Sequence, residues 1–253
     1  AHLALSGEAQ DEMIDTAREA QIRAADVVGK IEQRMKTYAT IFAAHPDVIA
    51  ALEASDRAKT QETVVGLFQR LRTSDAVVST FELTDAGGIV VMRGHNPTKH
   101  GDNKAQDKLV ARALTGTGAN GVTVSPASGE VSTDAVEPIL AKGRRIGTVK
   151  IGSRYRDDTA SEIKRLSGAD VIFAYQGKPL ASTIPGIQQL PAMPGKGDEA
   201  AAVTIGSVPY SAAARSLVTL GGDTLQIVTL SDNRPKLTKL TDFEMTLGLK
   251  TLL

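Results

Sequence analysis

From residue 6 to about residue 44, apolar residues recur in alternating steps of three and four. The stripe consists of Ile14, Ala17, Gln21, Ala24, Val28, Ile31, Met35, Tyr38 and Phe42, and eight of these nine are apolar. This spacing predicts one helix, on the order of 55 Å long, with a single buried face. The helix is either the seam of a homodimer or a spine that packs only on its own domain, because the small residues in the stripe suit both.

Two shorter helices are predicted after this one. His45-Pro46-Asp47 interrupts the first helix, and a proline followed by an acidic residue is typical of a first helical turn. The second helix therefore covers residues 46–54. Ser55-Asp56 caps a third helix that runs through Leu71. Residues 1–75 thus form a predicted helical spine.

The pattern changes from helical to extended at Ala76, where a first module begins. The turn residues Thr84-Asp-Ala-Gly-Gly88 separate two apolar runs and predict a β-hairpin. The remaining predicted elements of this module, residues 76–153, are a helix from Lys104 to Leu114 and strands at 121–125, 131–139 and 145–153.

The same order of elements then returns in shortened form, which indicates a second module over residues 154–232. It consists of a helix from Asp157 or Asp158 to Leu166, strands at 170–175, 179–183, 201–206, 210–217 and 224–230, and an irregular loop from Pro185 to Asp198. An exit helix over residues 233–253 has Pro235 in its first turn. The predicted fold class is α+β: a long N-terminal helix carrying two stacked modules, each an antiparallel sheet with flanking helices.

The amino-acid composition excludes several classes of function. The 29 basic and 29 acidic residues balance, aromatic residues make up 4%, and tryptophan is absent, so a nucleic-acid partner is not expected. No cysteine is present, which excludes disulfides and thiolate chemistry. The sequence contains no run of 18 apolar residues, so no segment of it is expected to span a bilayer. The chain opens and closes in helical sequence, so we expect it to be an excised segment whose missing flanks are transmembrane helices.

The strand from Ile89 to His95 is the centre of the predicted site. Ile89, Val91, Arg93 and His95 share one face, so an apolar wall ends in a cation and an imidazole. Arginine grips a carboxylate with two parallel hydrogen bonds, and histidine donates to the same group. The alternative is that Arg93 pairs with Glu82 across the hairpin at the surface, while His95 caps the loop.

Other chemistries are less well supported. His95, His100 and Asp102 match no compact metal-binding motif, and His100-Gly-Asp102 more simply closes a loop and caps the helix near Lys104. Ser125, His95 and Asp134 lack a Gly-x-Ser-x-Gly elbow for a hydrolase triad. We therefore expect no enzyme, no cofactor and no metal.

With these elements in order, the chain resembles the extracytoplasmic double Cache (PAS-like) sensor domains of bacterial transmembrane receptors. Methyl-accepting chemotaxis proteins resemble it most, and sensor histidine kinases and nucleotide cyclases also carry such domains. The residues that carry the resemblance are Arg93-Gly-His95-Asn-Pro97, His100-Gly-Asp102, Val136-Glu-Pro-Ile139 and Ile146-Gly-Thr-Val-Lys-Ile-Gly152. The first is similar to the Arg-x-x-His-Pro signature of citrate and C4-dicarboxylate sensors, one residue shorter.

The resemblance implies a ligand pocket in the first module, at its membrane-distal position. In the dicarboxylate sensors a basic residue stands four positions before the proline of the Pro-Ile pair, where this chain has Asp134. Either Asp134 pairs with Arg93 and leaves room for a small monocarboxylate such as acetate, or it faces an ammonium group, or it points to solvent. The predicted ligand-binding residues are Arg93, His95, Asp134, Ser132, Val136 and His100.

The expected function is therefore that of a periplasmic sensor domain of a chemotaxis receptor that binds a small carboxylate or amino-acid-like ligand. A homodimer through the long N-terminal helix, and attachment to the membrane through flanking segments, are expected. The alternatives are the sensor domain of a histidine kinase or nucleotide cyclase, or a dimerising interaction module without a ligand. In the second module Tyr175, Tyr210 and Arg215 fit a core and surface role, so no site is predicted there.

Overall fold

The computed structural model describes residues 7–126, 128–190 and 200–250. Three helices open the chain: Gly7–Ala43 (α1), Pro46–Ala54 (α2) and Arg57–Ser74 (α3). The side chain of Asp56 accepts the backbone N–H of Lys59 at the start of α3, which is the predicted cap. The three predicted helices are confirmed, with bounds close to those expected from the sequence.

One face of α1 is buried from Met13 to Phe42 within a single copy of the chain. The buried residues of this face are Met13, Ala17, Ala20, Ala24, Val27, Val28, Ile31, Met35, Ala39 and Phe42. The face is broader than the predicted stripe, and it includes most of its members. The apolar stripe is therefore a spine for its own chain, and a homodimer through α1 would have to use another face of the helix.

The first sheet has five strands. They are Thr80–Asp85 (β1), Val90–Arg93 (β2), Ala119–Val124 (β3), Val131–Ala141 (β4) and Arg144–Arg154 (β5), and their spatial order is β2-β1-β5-β4-β3. Every pair of neighbours is antiparallel. Between β1 and β2, the Asp85 carboxylate accepts the N–H groups of Gly87 and Ile89, and Gly88 has a φ of 84°, a conformation that suits glycine.

The two faces of this sheet differ in polarity because neighbouring side chains on a strand point to opposite sides. Phe81 and Ile151 are partners in the β1–β5 ladder, and the Phe81 ring lies 4.9 Å from that of Phe42 on α1. Glu82 and Lys150 are the next pair and belong to the opposite face. The sheet thus has an apolar face that packs on α1 and a polar face that carries the candidate site.

The helix that follows β2 is Lys108–Leu114 (α4), so the predicted start near Lys104 was wrong. Asp107 caps α4 by accepting the N–H groups of Leu109 and Val110. Asp102, the predicted cap, lies in a segment that is hydrogen-bonded to β2, since its carbonyl oxygen accepts the N–H of Val90 at 2.9 Å. Because this hydrogen bond holds Asp102 against β2, the helix begins only at Lys108.

The second module has the same topology as the first, which confirms the predicted repeat. A helix, Asp157–Ser167 (α5), precedes five strands with the order β7-β6-β10-β9-β8. The strands are Asp170–Tyr175 (β6), Lys178–Ser182 (β7), Ala200–Ile205 (β8), Val208–Val218 (β9) and Thr224–Asp232 (β10), and the exit helix is Arg234–Lys250 (α6). The later part of the predicted irregular loop, residues 191–198, lies outside the described residues, as does the end of the predicted exit helix, 251–253.

The chain divides into two compact units. The first sheet unit contains residues 28–159 and 218–224, and the second sheet unit contains residues 1–27, 160–217 and 225–253. The division runs through α1, whereas the sequence suggested a separate helical spine over residues 1–75. In the part of the chain that the structure describes, no helix combines the length and the apolar character needed to cross a membrane.

Candidate functional site

A cavity of about 710 Å³ opens on the polar face of the first sheet unit. All five strands and the segment between β2 and α4 contribute to its wall. The residues that matter most for its chemistry are Glu82, Arg93, His95, Asp102, Ser132, Asp134, Lys150 and Arg154. The wall contains both basic and acidic groups, so the cavity offers charges of both signs.

Arg93 lies at the end of β2, directly opposite Glu82 in the β1–β2 ladder. Its Nε donates to Glu82 Oε2 at 2.6 Å, and its two terminal nitrogens donate to the two carboxylate oxygens of Asp102 at 2.9 and 2.7 Å. It also donates to the backbone oxygen of Lys99 at 2.9 Å. The Glu82 pairing that the sequence allowed is therefore present, but it is buried, since only 11% of the Arg93 side chain and 7% of the Glu82 side chain are exposed.

The pairing with Arg93 shifts the acidity of Asp102. Its hydrogen bonds from Arg93 lower the pKa of Asp102 to about 2, although partial burial acts in the opposite direction. Burial acts to lower the pKa of Arg93, but the carboxylates of Asp102 and Glu82 outweigh that effect and raise it. Both groups are therefore fully charged at neutral pH.

Asp134 lies on β4 and is buried, with 1% of its side chain exposed. Its Oδ2 binds Lys150 Nζ at 2.8 Å and accepts the hydroxyls of Thr123 at 2.6 Å and Ser132 at 2.9 Å. The pairing of Asp134 with Arg93 that the sequence suggested was wrong, and so was the solvent-facing alternative. Asp134 Oδ1 is buried and has no hydrogen-bond partner.

Lys150 is the partner that the sequence reading missed. It lies on β5 between Val149 and Ile151, which are fully buried, and its charge is carried on the polar face. Burial acts to lower the pKa of Lys150, but the carboxylates of Asp134, Asp107 and Glu82 raise it, so the ammonium group stays charged. A lysine between two apolar residues of a strand was the available signal, because a buried lysine needs an anion beside it.

His95 connects the segment after β2 to β1. Its Nδ1 accepts the backbone N–H of Phe81 at 3.3 Å, so the neutral ring carries its proton on Nε2. Burial and the nearby charge of Arg154 lower the pKa of His95 to about 4. His95 is thus neutral at physiological pH and keeps one N–H group, on Nε2, that can donate to a ligand.

The remaining predicted site residues are not all brought together. Ser132 and His100 line the same cavity as Arg93, His95 and Asp134. Val136 packs in an apolar cluster with Leu109, Val110 and Ala113, which places it against α4 and outside the cavity wall. The cavity thus contains five of the six predicted residues, and Lys150 and Arg154 join them.

Two further cavities are smaller. One of about 230 Å³ in the first sheet unit shares His95 and Arg154 with the main cavity and also contacts Arg72 and Arg156. The other, of about 490 Å³ in the second sheet unit, is bordered by Tyr210, Ser211 and Asn233. The side chains of Ser211 and Asn233 hydrogen-bond to each other. Within the described residues, no group of three or more His, Asp or Glu side chains is arranged to hold a metal ion.

Several solved structures of bacterial proteins share this fold. The domain of a sensory box/GGDEF family protein from Vibrio parahaemolyticus aligns with 89% of this chain and 98% of its own, at 11% identity and a TM-score of 0.60. The periplasmic domain of Vibrio cholerae LuxQ aligns with 88% and 99%, at 14% identity and a TM-score of 0.57. At such identities the likeness shows the fold.

A third structure carries a ligand. The ligand-binding domain of the Pseudomonas aeruginosa PAO1 amino acid chemoreceptor PctC, in complex with GABA, aligns with 88% of this chain and 100% of its own, at 14% identity and a TM-score of 0.51. A comparison of the sequence with curated proteins gives no match.

The family of this chain is identified by a match between its sequence and a family model. The model described as the double sensory domain of two-component sensor kinases matches residues 15–205. This range runs from within α1 through the whole of the first sheet to the end of β8 in the second sheet, and the repeated strand order agrees with the double domain that the description names. The chain therefore belongs to the family of double sensory domains of two-component sensor kinases.

Proposed function

We propose that this chain is the periplasmic ligand-binding part of a transmembrane signalling receptor, and that it binds a small organic carboxylate in the cavity of the first sheet unit. The observation that carries the proposal is the position of Arg93, whose planar guanidinium lines the cavity and already holds a carboxylate by two parallel hydrogen bonds. That geometry suits a carboxylate, whose two oxygens accept parallel hydrogen bonds from one guanidinium group.

The ligand is small and carries one carboxylate at the Arg93 end. A second carboxylate that reaches the β4 side of the cavity would approach Asp134, which has a negative charge, or compete with Asp134 for Lys150. Like charges in a buried site are costly, so a dicarboxylate is disfavoured. Acetate and other short monocarboxylates meet this restriction.

An amino acid is the second candidate, and one observation favours it. Asp134 Oδ1 is buried without a hydrogen-bond partner, and such a group gains from an ammonium donor. Structures with this fold include chemoreceptor domains in complex with L-valine and with GABA, both of which carry an ammonium and a carboxylate group. In this chain the carboxylate would go to Arg93 and the ammonium group to Asp134.

The receptor type is a chemotaxis receptor or a sensor kinase. The sequence resembles chemoreceptor domains most, and the family description names two-component sensor kinases. In either case the signal begins within the first sheet unit, because Phe81 on β1 contacts Phe42 on α1 while the neighbouring Glu82 lines the cavity. A ligand biases this contact only through its differential affinity for two states of the sheet.

Isothermal titration calorimetry on the purified chain tests the ligand class. The ligands are acetate, propionate, L-valine and GABA, with acetamide as an uncharged analogue of acetate. We expect binding of at least one carboxylate and none of acetamide. Arg93→Lys keeps the charge but loses the two-pronged geometry, so it should weaken binding at least tenfold. The matched control is Arg70→Lys, because Arg70 is exposed on α3 outside the cavity.

A second variant, Asp134→Asn, tests whether the ligand is an amino acid. Asp134→Asn should abolish the binding of L-valine or GABA and leave that of acetate or propionate within a few-fold. If binding of every ligand survives Arg93→Lys unchanged, the Arg93 site is wrong. If no ligand binds and the chain sediments as a dimer, an interaction module without a ligand explains it better.

A further inference from the structure

We infer that Asp102 is a built-in competitor that occupies the carboxylate position on Arg93, and that a ligand binds by displacing it. This inference rests on the proposed function and adds how the affinity of the site is set. Its starting point is that the guanidinium is nearly saturated. Four of its five N–H groups donate to Glu82, Asp102 and the Lys99 backbone, and the edge formed by the two terminal nitrogens is occupied by Asp102.

The two carboxylates on Arg93 differ in how easily they can leave. Glu82 is fixed by its place on β1, opposite Arg93 in the ladder, and 7% of its side chain is exposed. Its release would leave a buried charge without a partner, which is strongly unfavourable. Asp102 lies outside the strands, and 46% of its side chain is exposed. Water can hydrate its carboxylate once it leaves Arg93, so Asp102 is the exchangeable partner.

Displacement of the Asp102 side chain does not require the backbone to unfold. The Asp102 carbonyl oxygen accepts the N–H of Val90 at 2.9 Å, and Gly101 N donates to Val90 at 2.8 Å, so this segment stays attached to β2. Lys104 lies 3.5 Å from the Asp102 carboxylate and gives it a second cation to turn to. The exchange is therefore a rotation of one side chain between two cations.

Two properties of the site follow. Asp102 lowers the affinity for every carboxylate, because the ligand replaces an existing pair of charge-assisted hydrogen bonds instead of filling a free position. It also raises selectivity, since a ligand with a single acceptor atom cannot replace both bonds. Neutral analogues would therefore be excluded more strongly than an open arginine would exclude them.

The test compares wild type with Asp102→Asn in calorimetric titrations of acetate, L-valine and GABA. Asparagine has nearly the same shape but lacks the charge that competes for Arg93. We expect roughly tenfold or greater tightening for each carboxylate that the wild type binds. The control is Glu62→Gln, which removes one negative charge from an exposed position on α3 and should leave the affinity unchanged.

The outcomes separate this inference from the proposed function. If the wild type binds a carboxylate through Arg93 and Asp102→Asn binds it no tighter, or more weakly, Asp102 is not a competitor and the proposed function still stands. If Glu62→Gln tightens binding as much as Asp102→Asn, net charge explains the gain and the inference fails. If neither the wild type nor Asp102→Asn binds any of the three ligands, the proposed function fails, and this inference fails with it.

Discussion

Asp134 and Gly152 lie directly opposite each other in the β4–β5 ladder, and the carboxylate of Asp134 occupies the space that a side chain at position 152 would fill. A Cβ added to Gly152 would overlap Asp134 Oδ1. The glycine therefore sets the orientation of the buried carboxylate and, through it, the pairing with Lys150 at 2.8 Å.

Gly152→Ala should consequently destabilise the protein. Asp134 is held by Lys150, Thr123 and Ser132, so it cannot move aside without losing those bonds, and the expected loss is about 1–3 kcal/mol of unfolding free energy. Urea denaturation followed by circular dichroism measures this loss. The control is Gly29→Ala in α1, where an added Cβ meets nothing within 4 Å and should stabilise by about 0.5–1 kcal/mol. A Gly152→Ala protein as stable as wild type would refute the packing argument.

Removal of Lys150 should cost more than removal of a surface lysine. Lys150→Met leaves Asp134 buried without a cation, for which a loss of about 3–5 kcal/mol is expected. Lys164→Met removes a half-exposed lysine that pairs with Asp170 and should cost no more than about 1 kcal/mol. Urea denaturation at pH 7 measures the loss of unfolding free energy for both variants.

A second variant separates charge from packing at this position. Adding Asp134→Asn to Lys150→Met removes the unpaired anion and should restore part of the lost stability. Equal losses for Lys150→Met and Lys164→Met would show that the Asp134–Lys150 pair is not a buried one.

Periodicity was sufficient to predict most of the elements but not the charge pairs. The alternation around Phe81 predicts β1, and the heptad spacing around Ile31 predicts α1, because both patterns report local geometry. The Asp134–Lys150 pair depends on β4 and β5 being neighbours in a register that places Val136 opposite Lys150. Nothing in the sequence states that register, so the sequence leaves Arg93, an ammonium group and solvent all open as the surroundings of Asp134.

The start of α4 shows a second limit. Asp102 and Asp107 are both able to cap a helix, and the sequence does not choose between them. The choice is made by β2, whose Val90 hydrogen-bonds to residues 101 and 102 and keeps that segment extended. Asp102 therefore does not cap a helix, and its side chain binds Arg93 instead.

A homodimer through α1 stays a prediction, and the structure changes the surface that would form it. The predicted stripe is buried within one chain, but Ile22 and Ile41 on α1 are exposed. If these side chains form a dimer contact, Ile22→Glu with Ile41→Glu should shift the sedimentation coefficient towards the monomer. The control, Thr37→Glu with Thr40→Glu, adds the same charge to α1 at exposed polar positions. Wild-type protein that remains monomeric at high concentration would contradict the prediction.

His95 should make stability depend on pH in the acidic range. Its pKa is lowered from the ordinary value of 6.5 to about 4 by burial and by Arg154, so the unfolded chain binds a proton that the folded chain excludes. The contribution is fully present above pH 6.5 and is lost as the pH falls from 6.5 to about 4. A difference of this size corresponds to about 3 kcal/mol in total.

His95→Asn removes the titrating group and keeps a side-chain acceptor for the N–H of Phe81. Urea denaturation at pH 7, 5.5 and 4 should therefore show a smaller loss of stability for this variant than for wild type. His100→Asn changes an exposed histidine of the same segment and should follow the wild-type curve. If the His95→Asn curve runs parallel to that of wild type over this range, the buried neutral imidazole is not the source of the acid sensitivity.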